Sequence, residues 1–194
     1  LIPTLVDTEK FKMDIEKRTT IRKELGISEN IVIGLVGGFN NDYNRPSLEY
    51  LHNNLNDFDK KIKFLVIGRT SSQRINSRII YAGYVEDYVG YLSALAALLV
   101  YRTVPTDGAI NRFVEAMAMG IPVFANLVAS RSMDYATHGK DYYICYDEGI
   151  PKMVNSVMKR NKVIQVGENG RQVAEKYYSE KNYKQKILEF IKIC

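Results

Sequence analysis

The chain has 194 residues, of which 46% are hydrophobic and 25% are charged, and its formal net charge is +5. This composition is ordinary for a soluble globular protein, and the length is sufficient for one domain with a sizeable core. Two cysteines exclude a disulfide framework and indicate a reducing compartment, and the longest apolar run is shorter than the roughly 20 residues of a membrane helix.

The positive charge is concentrated near the end of the chain. Residues 151–194 contain ten Lys or Arg and four Asp or Glu, a net charge of +6. We expect a solvated helical face there, although an anionic membrane surface or an acidic partner domain would also suit it. The opening stretch LIPTLVDTEKF has the character of a connecting segment, so we expect a fragment of a larger protein.

The predicted elements alternate along the chain. Helical patterns are predicted over 13–26, 45–55, 87–97, 109–120, 151–160, 164–178 and 180–193. Short apolar runs that predict buried strands are NIVIGLVGG, KIKFLVIG, RIIYAGYV, ALLVYR, MGIPVFA and DYYICY. This alternation predicts an α/β fold with a Rossmann-like parallel sheet flanked by helices on both faces.

Ligands of open α/β sheets bind at the carboxyl ends of the strands, where the strand order reverses. The predicted strands place five loops at that edge of the sheet. They are residues 37–46, 68–74, 83–87, 102–108 and 126–135. We therefore expect the functional residues in these loops and in the helices that follow them.

The stretch PTDGAINRFVEAMAMGIPV places two carboxylates, Asp107 and Glu115, around the start of one predicted helix, with Asn111 between them. A helix N-terminus is a site for a phosphate group, and Gly108 allows close approach to the backbone. The layout suits a nucleoside diphosphate sugar. Two simpler interpretations are that Asp107 only caps the helix and that Glu115 only pairs with Arg112.

The same stretch, read as DGAINRFVEAMAMGIPV, resembles the signature of the C-terminal, donor-binding domain of retaining glycosyltransferases with the GT-B fold, in family 4 (glycosyl transferases group 1). LIPTLVDTEKF resembles the interdomain connection of that family, and SEKNYKQKILEFIKI resembles the segment that crosses back to the N-terminal domain. The resemblance implies a connector at 1–12, a Rossmann-like nucleotide-sugar-binding domain at 13–178, and a crossing helix at 179–194.

The resemblance also implies roles for individual residues. Glu115 should bind the ribose hydroxyls, and Asp107, where the family has Glu, should contact the donor sugar as the catalytic residue. The other implied binding positions are Gly37, Gly38 and Arg45 near the diphosphate, Tyr84 and Val85 beside the base, Gly108, Ala109, Ile110 and Asn111 as backbone donors, and Arg112 or Arg69 as supporting cations.

Two departures from the family pattern bear on catalysis. Asp107 is one methylene shorter than the usual Glu. The loop after the first strand, GGFNNDYNRP, also lacks the usual Arg and Lys, because Gly38 stands at the Arg position and only Arg45 lies near the Lys position. The second departure raises the question of which groups neutralise the phosphates.

The implied function is transfer of a sugar, of the hexosyl type, from a nucleoside diphosphate sugar to a glycan or lipid-linked acceptor with retention, in polysaccharide or glycan biosynthesis. We expect no cofactor and no metal, since no DxD pattern or His cluster occurs. We expect a cytoplasmic protein, with peripheral association at the inner membrane face as an option for the full-length enzyme, and no nucleic-acid partner. The isolated domain, without its N-terminal acceptor-binding half, should be inactive.

Three other functions are alternatives to this one. A nucleotide-binding domain of the same fold without catalysis, acting in interaction or regulation, is favoured by the missing Arg and Lys. A dinucleotide-binding oxidoreductase is disfavoured because no GxGxxG follows the first strand. A sugar-nucleotide epimerase would require catalytic carboxylates and a His that the sequence does not offer in a suitable place.

Overall fold

A computed structural model describes residues 4–105, 109–160 and 162–193 of the chain. Its centre is one six-stranded parallel sheet with the strand order β3-β2-β1-β4-β5-β6. The strands are β1 (Ile31–Val36), β2 (Ile62–Ile67), β3 (Ile79–Gly83), β4 (Ala97–Val100), β5 (Val123–Asn126) and β6 (Tyr143–Cys145). The predicted Rossmann-like parallel sheet is confirmed.

Helices connect the strands and cover the sheet. They are α1 (Ile15–Glu24), α2 (Arg45–Asn54), α3 (Tyr88–Ser93), α4 (Asn111–Ala118), α5 (Leu127–Ser130), α6 (Ile150–Val157), α7 (Lys162–Val173) and α8 (Glu180–Ile193). Short 3-10 turns occupy Leu55–Asp57 and Asp147–Gly149, and a π-helical turn occupies Ala174–Tyr178. Among these helices, none has the length and apolar character that crossing a bilayer requires.

Two predicted helices end earlier than expected. The helix predicted over 87–97 stops at Ser93, because the N–H of Ala96 donates to the carbonyl of Val32 at 2.7 Å and draws the chain into the sheet. The helix predicted over 164–178 is α-helical only to Val173 and then becomes a π turn. The loop predicted over 126–135 contains the short helix α5.

Alternation along the strands produces two separate hydrophobic clusters, one on each face of the sheet. In β1, Val32 belongs to the cluster that contains residues of α1, α3 and α4, whereas the next residue, Ile33, belongs to the cluster that contains residues of α2 and α6. Both residues are fully buried. Burial on both faces explains why the strands read as continuous apolar runs rather than as alternating patterns.

The strand order reverses between β1 and β4, which are neighbours in the sheet. From β1 the chain builds outward through β2 and β3, and from β4 it builds outward in the other direction through β5 and β6. Such a reversal opens a crevice at the carboxyl ends of the two central strands. We therefore expect the ligand to bind between the loops that follow β1 and β4.

The start of the described chain lies beside the residue that precedes α8. Val6 forms an isolated parallel bridge with Ser179, with its N–H donating to the carbonyl of Tyr178 at 2.8 Å. The predicted connector thus lies beside the start of α8. The proposed boundaries at residues 12 and 178 stay predictions.

Candidate functional site

A cleft of about 280 Å³ lies at the carboxyl ends of β1, β2 and β3. It is lined by Val36, Gly37, Ile67, Gly68, Gly83, Tyr84, Val85, Glu86 and Tyr88. The structure thus brings together three residues that the sequence singled out, namely Gly37, Tyr84 and Val85. Tyr84 is 71% exposed, and the guanidinium of Arg69 lies 5.5 Å from the centroid of its ring.

Two glycines explain how the loops after β1 and β2 can approach so closely. Gly68 has a φ of 123°, and a Cβ atom there would lie 1.9 Å from the carbonyl oxygen of Gly37. Gly37 itself has a φ of 150°, and a Cβ atom there would lie 2.8 Å from the side-chain nitrogen Nδ2 of Asn44. No larger residue fits either position, so one wall of the cleft is bare backbone.

Glu115 occupies the second turn of α4 between the buried residues Val114 and Ala116. Its carboxylate is half-buried, and Oε2 accepts a hydrogen bond of 2.8 Å from the hydroxyl of Tyr88, a residue that lines the cleft. Burial raises the pKa of Glu115, although the Tyr88 hydrogen bond and the charge of Arg112 act in the opposite direction. The carboxylate is therefore partly withdrawn from solvent and contacts a residue that lines the cleft.

The simpler interpretation of Glu115 as one half of an ion pair with Arg112 is wrong. Among the described residues, Arg112 forms no ion pair with Glu115. Its guanidinium instead donates through Nη2 to Asn44 Oδ1 at 3.0 Å, and Asn44 Nδ2 donates to the carbonyl of Gly38 at 3.1 Å. Arg112 thereby connects α4 to the glycine turn after β1.

Helix α4 begins later than predicted. Its N-cap position is held by Ile110, whose side chain makes no capping hydrogen bond, and its first residue, Asn111, is exposed. Ala109 accepts a hydrogen bond of 2.9 Å from the hydroxyl of Thr4. The predicted sugar-contacting residue Asp107 and the adjacent Gly108 lie outside the described residues.

Arg45 is turned toward acidic neighbours. Its guanidinium lies 2.8 Å from Asp42 and 3.5 Å from Glu49, and all three side chains are about half exposed or more. Within the described ranges, no contact links Arg45 to the cleft or to Arg112. Its predicted role at the phosphates stays a prediction.

Arg102 is a candidate site residue that the sequence analysis missed. It follows β4, it is only 8% exposed, and its Nη1 donates to the carbonyl of Tyr43 at 2.9 Å. Asn126 fixes its backbone, because the side-chain amide of Asn126 both accepts from the Arg102 N–H at 3.1 Å and donates to the Arg102 carbonyl at 2.7 Å. The sequence did offer one indication of Arg102, which is that it lies in the predicted loop 102–108 at the carboxyl ends of the strands.

The two buried arginines affect each other. Burial, and to a smaller extent the positive charge of Arg102, lower the pKa of Arg112 to about 10. The pKa of Arg102 is also lowered by burial. Across the described part of the chain, no group of three or more His, Cys, Asp or Glu side chains is placed to hold a metal ion. The site thus offers a carboxylate for hydroxyl groups and guanidinium groups for an anion.

The sequence matches the family model described as glycosyl transferases group 1 over residues 30–161. HepE from Anabaena in complex with UDP matches with a TM-score of 0.85 at 17% identity, over 98% of this chain and 56% of that chain. The HepE complex with UDP-glucose matches with a TM-score of 0.80 at 16% identity, over the same shares of the two chains.

A third match is the crystal structure of the C-terminal domain of LpcC, a glycosyl transferase group 1 family protein from Francisella tularensis. It has a TM-score of 0.68 at 17% identity, over 90% of this chain and 99% of that domain. The chain spans little more than half the length of the HepE structures. At these identities the likeness establishes a shared fold. The comparison with curated proteins found no match.

Proposed function

This chain belongs to the glycosyl transferases group 1 family, and from that premise we propose that it is the donor-binding, C-terminal half of a family 4 glycosyltransferase with the GT-B fold. The full-length enzyme would transfer a hexosyl group from a nucleoside diphosphate sugar to a glycan or lipid-linked acceptor, with retention. The match to the isolated C-terminal domain of LpcC, over 99% of that domain, supports the placement in the C-terminal half.

The observation that carries the proposal is the carboxylate of Glu115. It is half-buried, it contacts Tyr88 at the cleft, and it forms no ion pair with a cation in the described structure. A buried carboxylate is costly unless hydrogen-bond donors satisfy it, and the vicinal hydroxyls of a ribose are such donors. The UDP and UDP-glucose bound to HepE make uridine nucleotides the first candidates for this chain.

In the proposed reaction, the departing diphosphate gathers negative charge that the protein must stabilise. The amide groups at the start of α4 lack a side-chain cap and offer fixed hydrogen-bond donors and a partial positive charge. We propose that these amides, together with guanidinium groups, perform this task. Asp107 stays the predicted contact for the donor sugar, and the acceptor would be bound by an N-terminal half.

Calorimetric titration of this chain with UDP-glucose, followed by other UDP-, GDP- and ADP-sugars, tests the proposal. We expect at least one donor to bind and Glu115→Ala to bind that donor at least about tenfold more weakly. Glu168→Ala, which removes an exposed carboxylate of α7, is the matched control and should bind as the parent does. If Glu115→Ala binds donor with parental affinity, the site assignment fails.

The second candidate is a nucleotide-binding domain without catalytic activity, acting in interaction or regulation. The ion pairs of Arg45 with Asp42 and Glu49 favour it, because they engage the only arginine in the loop region after β1. The two candidates differ in the full-length protein, which should either transfer sugar or only bind donor. A radiolabelled sugar-transfer assay with donor at saturating concentration separates them.

For the location of the full-length enzyme, we propose the cytoplasm with peripheral attachment to the inner membrane face. The net charge of +6 over residues 151–194 supports attraction to anionic lipids. Co-sedimentation with vesicles, with and without anionic lipid, would test this attachment. Binding that is equal for both vesicle types would contradict it.

A further inference from the structure

Arg102 and Arg112 are two neighbouring cations that are largely withdrawn from solvent. Arg102 is 8% exposed and Arg112 is half-buried, and neither guanidinium forms an ion pair with a described carboxylate. Within the described residues, Nε of Arg102 is buried and has no hydrogen-bond partner. Buried charges are normally paired, so two neighbouring guanidiniums in this place would stabilise a bound anion.

The two side chains lie where the strand order reverses. Arg102 follows β4, and Arg112 is in the first turn of α4, which follows the same strand. Both reach across to the loop after the neighbouring strand β1, Arg102 to the carbonyl of Tyr43 and Arg112 to the side chain of Asn44. The side chain of Asn44 donates to the carbonyl of Gly38 and lies close to Gly37. Asn44 therefore connects Arg112 to the glycine turn after β1.

A purely structural role would explain these contacts less well. A hydrogen bond to a carbonyl or to an amide oxygen requires a donor but no positive charge, and a neutral side chain could supply it. Two nearby positive charges in a buried place repel each other, which is a cost that an anion removes. Planar guanidiniums also match the oxygen spacing of phosphates, which makes arginine the side chain suited to that anion.

We propose that Arg102 and Arg112 together bind the diphosphate of the donor, and so supply the two cations that the loop after β1 lacks. The identity of the anion as a nucleotide diphosphate rests on the proposed function. The side chain of Asn126 holds the backbone of Arg102, because it accepts from the Arg102 N–H and donates to the Arg102 carbonyl.

The test compares three probes on the 194-residue chain: inorganic pyrophosphate, UDP, and uridine, which lacks phosphate. Arg102→Gln and Arg112→Gln remove one charge each. Arg160→Gln is the matched control, because Arg160 is exposed and follows Lys159, which pairs with Asp59 at the opposite edge of the sheet, before β2. Calorimetry measures pyrophosphate and UDP binding, and NMR measures uridine binding.

We expect each Gln variant to bind pyrophosphate and UDP at least about tenfold more weakly than the parent, since a hydrogen bond to a charged group is lost. Uridine binding should stay unchanged in both, and Arg160→Gln should bind all three probes as the parent does. Should a Gln variant fail to fold, Arg102→Lys and Arg112→Lys keep the charge but lose the planar donors, and should bind pyrophosphate several-fold more weakly with uridine again unaffected.

Three results would overturn the inference. The first is parental affinity for pyrophosphate and UDP in both arginine variants, and the second is no pyrophosphate binding by the parent. The third is an equal loss for uridine and for UDP, which would mean that the arginines only hold the loop. A different result would contradict the proposed function. The parent would then bind pyrophosphate through these arginines but would bind no nucleotide more tightly than pyrophosphate.

Discussion

The carboxyl group of Glu115 should control nucleoside binding through its protonation state. Its pKa is raised by burial, despite opposing effects of Tyr88, Arg112 and Lys10. Only the ionised form can accept hydrogen bonds from two ribose hydroxyls, so binding should be lost as the pH falls through this raised pKa, at a higher pH than for an exposed glutamate. NMR titration with uridine, which has no titrating phosphate, measures this dependence between neutral and mildly acidic pH.

Glu115→Gln is the control for the pH experiment. Its amide does not titrate in this range, so its uridine affinity should be weaker than that of the parent at neutral pH and flat on acidification. A decline of equal size in Glu115→Gln and in the parent would show that another group is responsible.

The partner of Glu115 on the ligand can be identified by removing one hydrogen-bonding group from each side. In the parent, replacing UDP by 2′-deoxy-UDP should weaken binding by about 1.5–3 kcal/mol, the range for a hydrogen bond to a charged group. In Glu115→Ala the same replacement should have little effect, because the acceptor is already absent. Isothermal titration of the four combinations measures the coupling, and fully additive losses would contradict contact with the ribose.

At the scale of the elements, the strands were predictable because each is a short apolar run buried on both faces. The helix ends were less so, since the end of α3 depends on the bond between Ala96 and Val32, residues far apart in sequence. Glu115 was found because a carboxylate among apolar neighbours is unusual. Arg102 was missed, because its burial depends on Tyr43 and on the fold that brings the two loops together.

The packing of α7 against the end of α4 depends on a close backbone approach. A Cβ atom at Gly167 would lie 2.2 Å from the carbonyl oxygen of Gly120. We expect Gly167→Ala to push the two helices apart and to lower the free energy of unfolding by roughly 1–3 kcal/mol, as overpacking does. Urea denaturation measures this loss.

The control for this substitution is Gly149→Ala. A Cβ atom at Gly149 would meet no atom within 4 Å, and its φ of −92° is accessible to alanine. Its unfolding free energy should stay within about 0.5 kcal/mol of the parental value. If Gly167→Ala is as stable as Gly149→Ala, α7 can shift freely, and the contact does not fix α4.

At the scale of the whole molecule, the 194-residue chain should bind donor but transfer no sugar. It spans 56% of the HepE chain. In the proposed enzyme, the acceptor binds to an N-terminal half that this chain does not contain. Release of UDP from UDP-glucose, followed by a coupled assay, should stay at the background rate with this chain. Joining the chain to a Rossmann-like N-terminal half, if its gene encodes one, should restore turnover. Sugar transfer by the isolated chain would contradict the proposal that a second half is required for acceptor binding.

The bridge between Val6 and Ser179 has a mechanical consequence for such a two-part enzyme. In the proposed enzyme, the segment before Val6 and the segment that begins at Ser179 would lead to the second half from neighbouring places on this domain. Two residues before Val6, the hydroxyl of Thr4 donates to the carbonyl of Ala109. A displacement of the first of these segments would therefore act on the backbone immediately before α4.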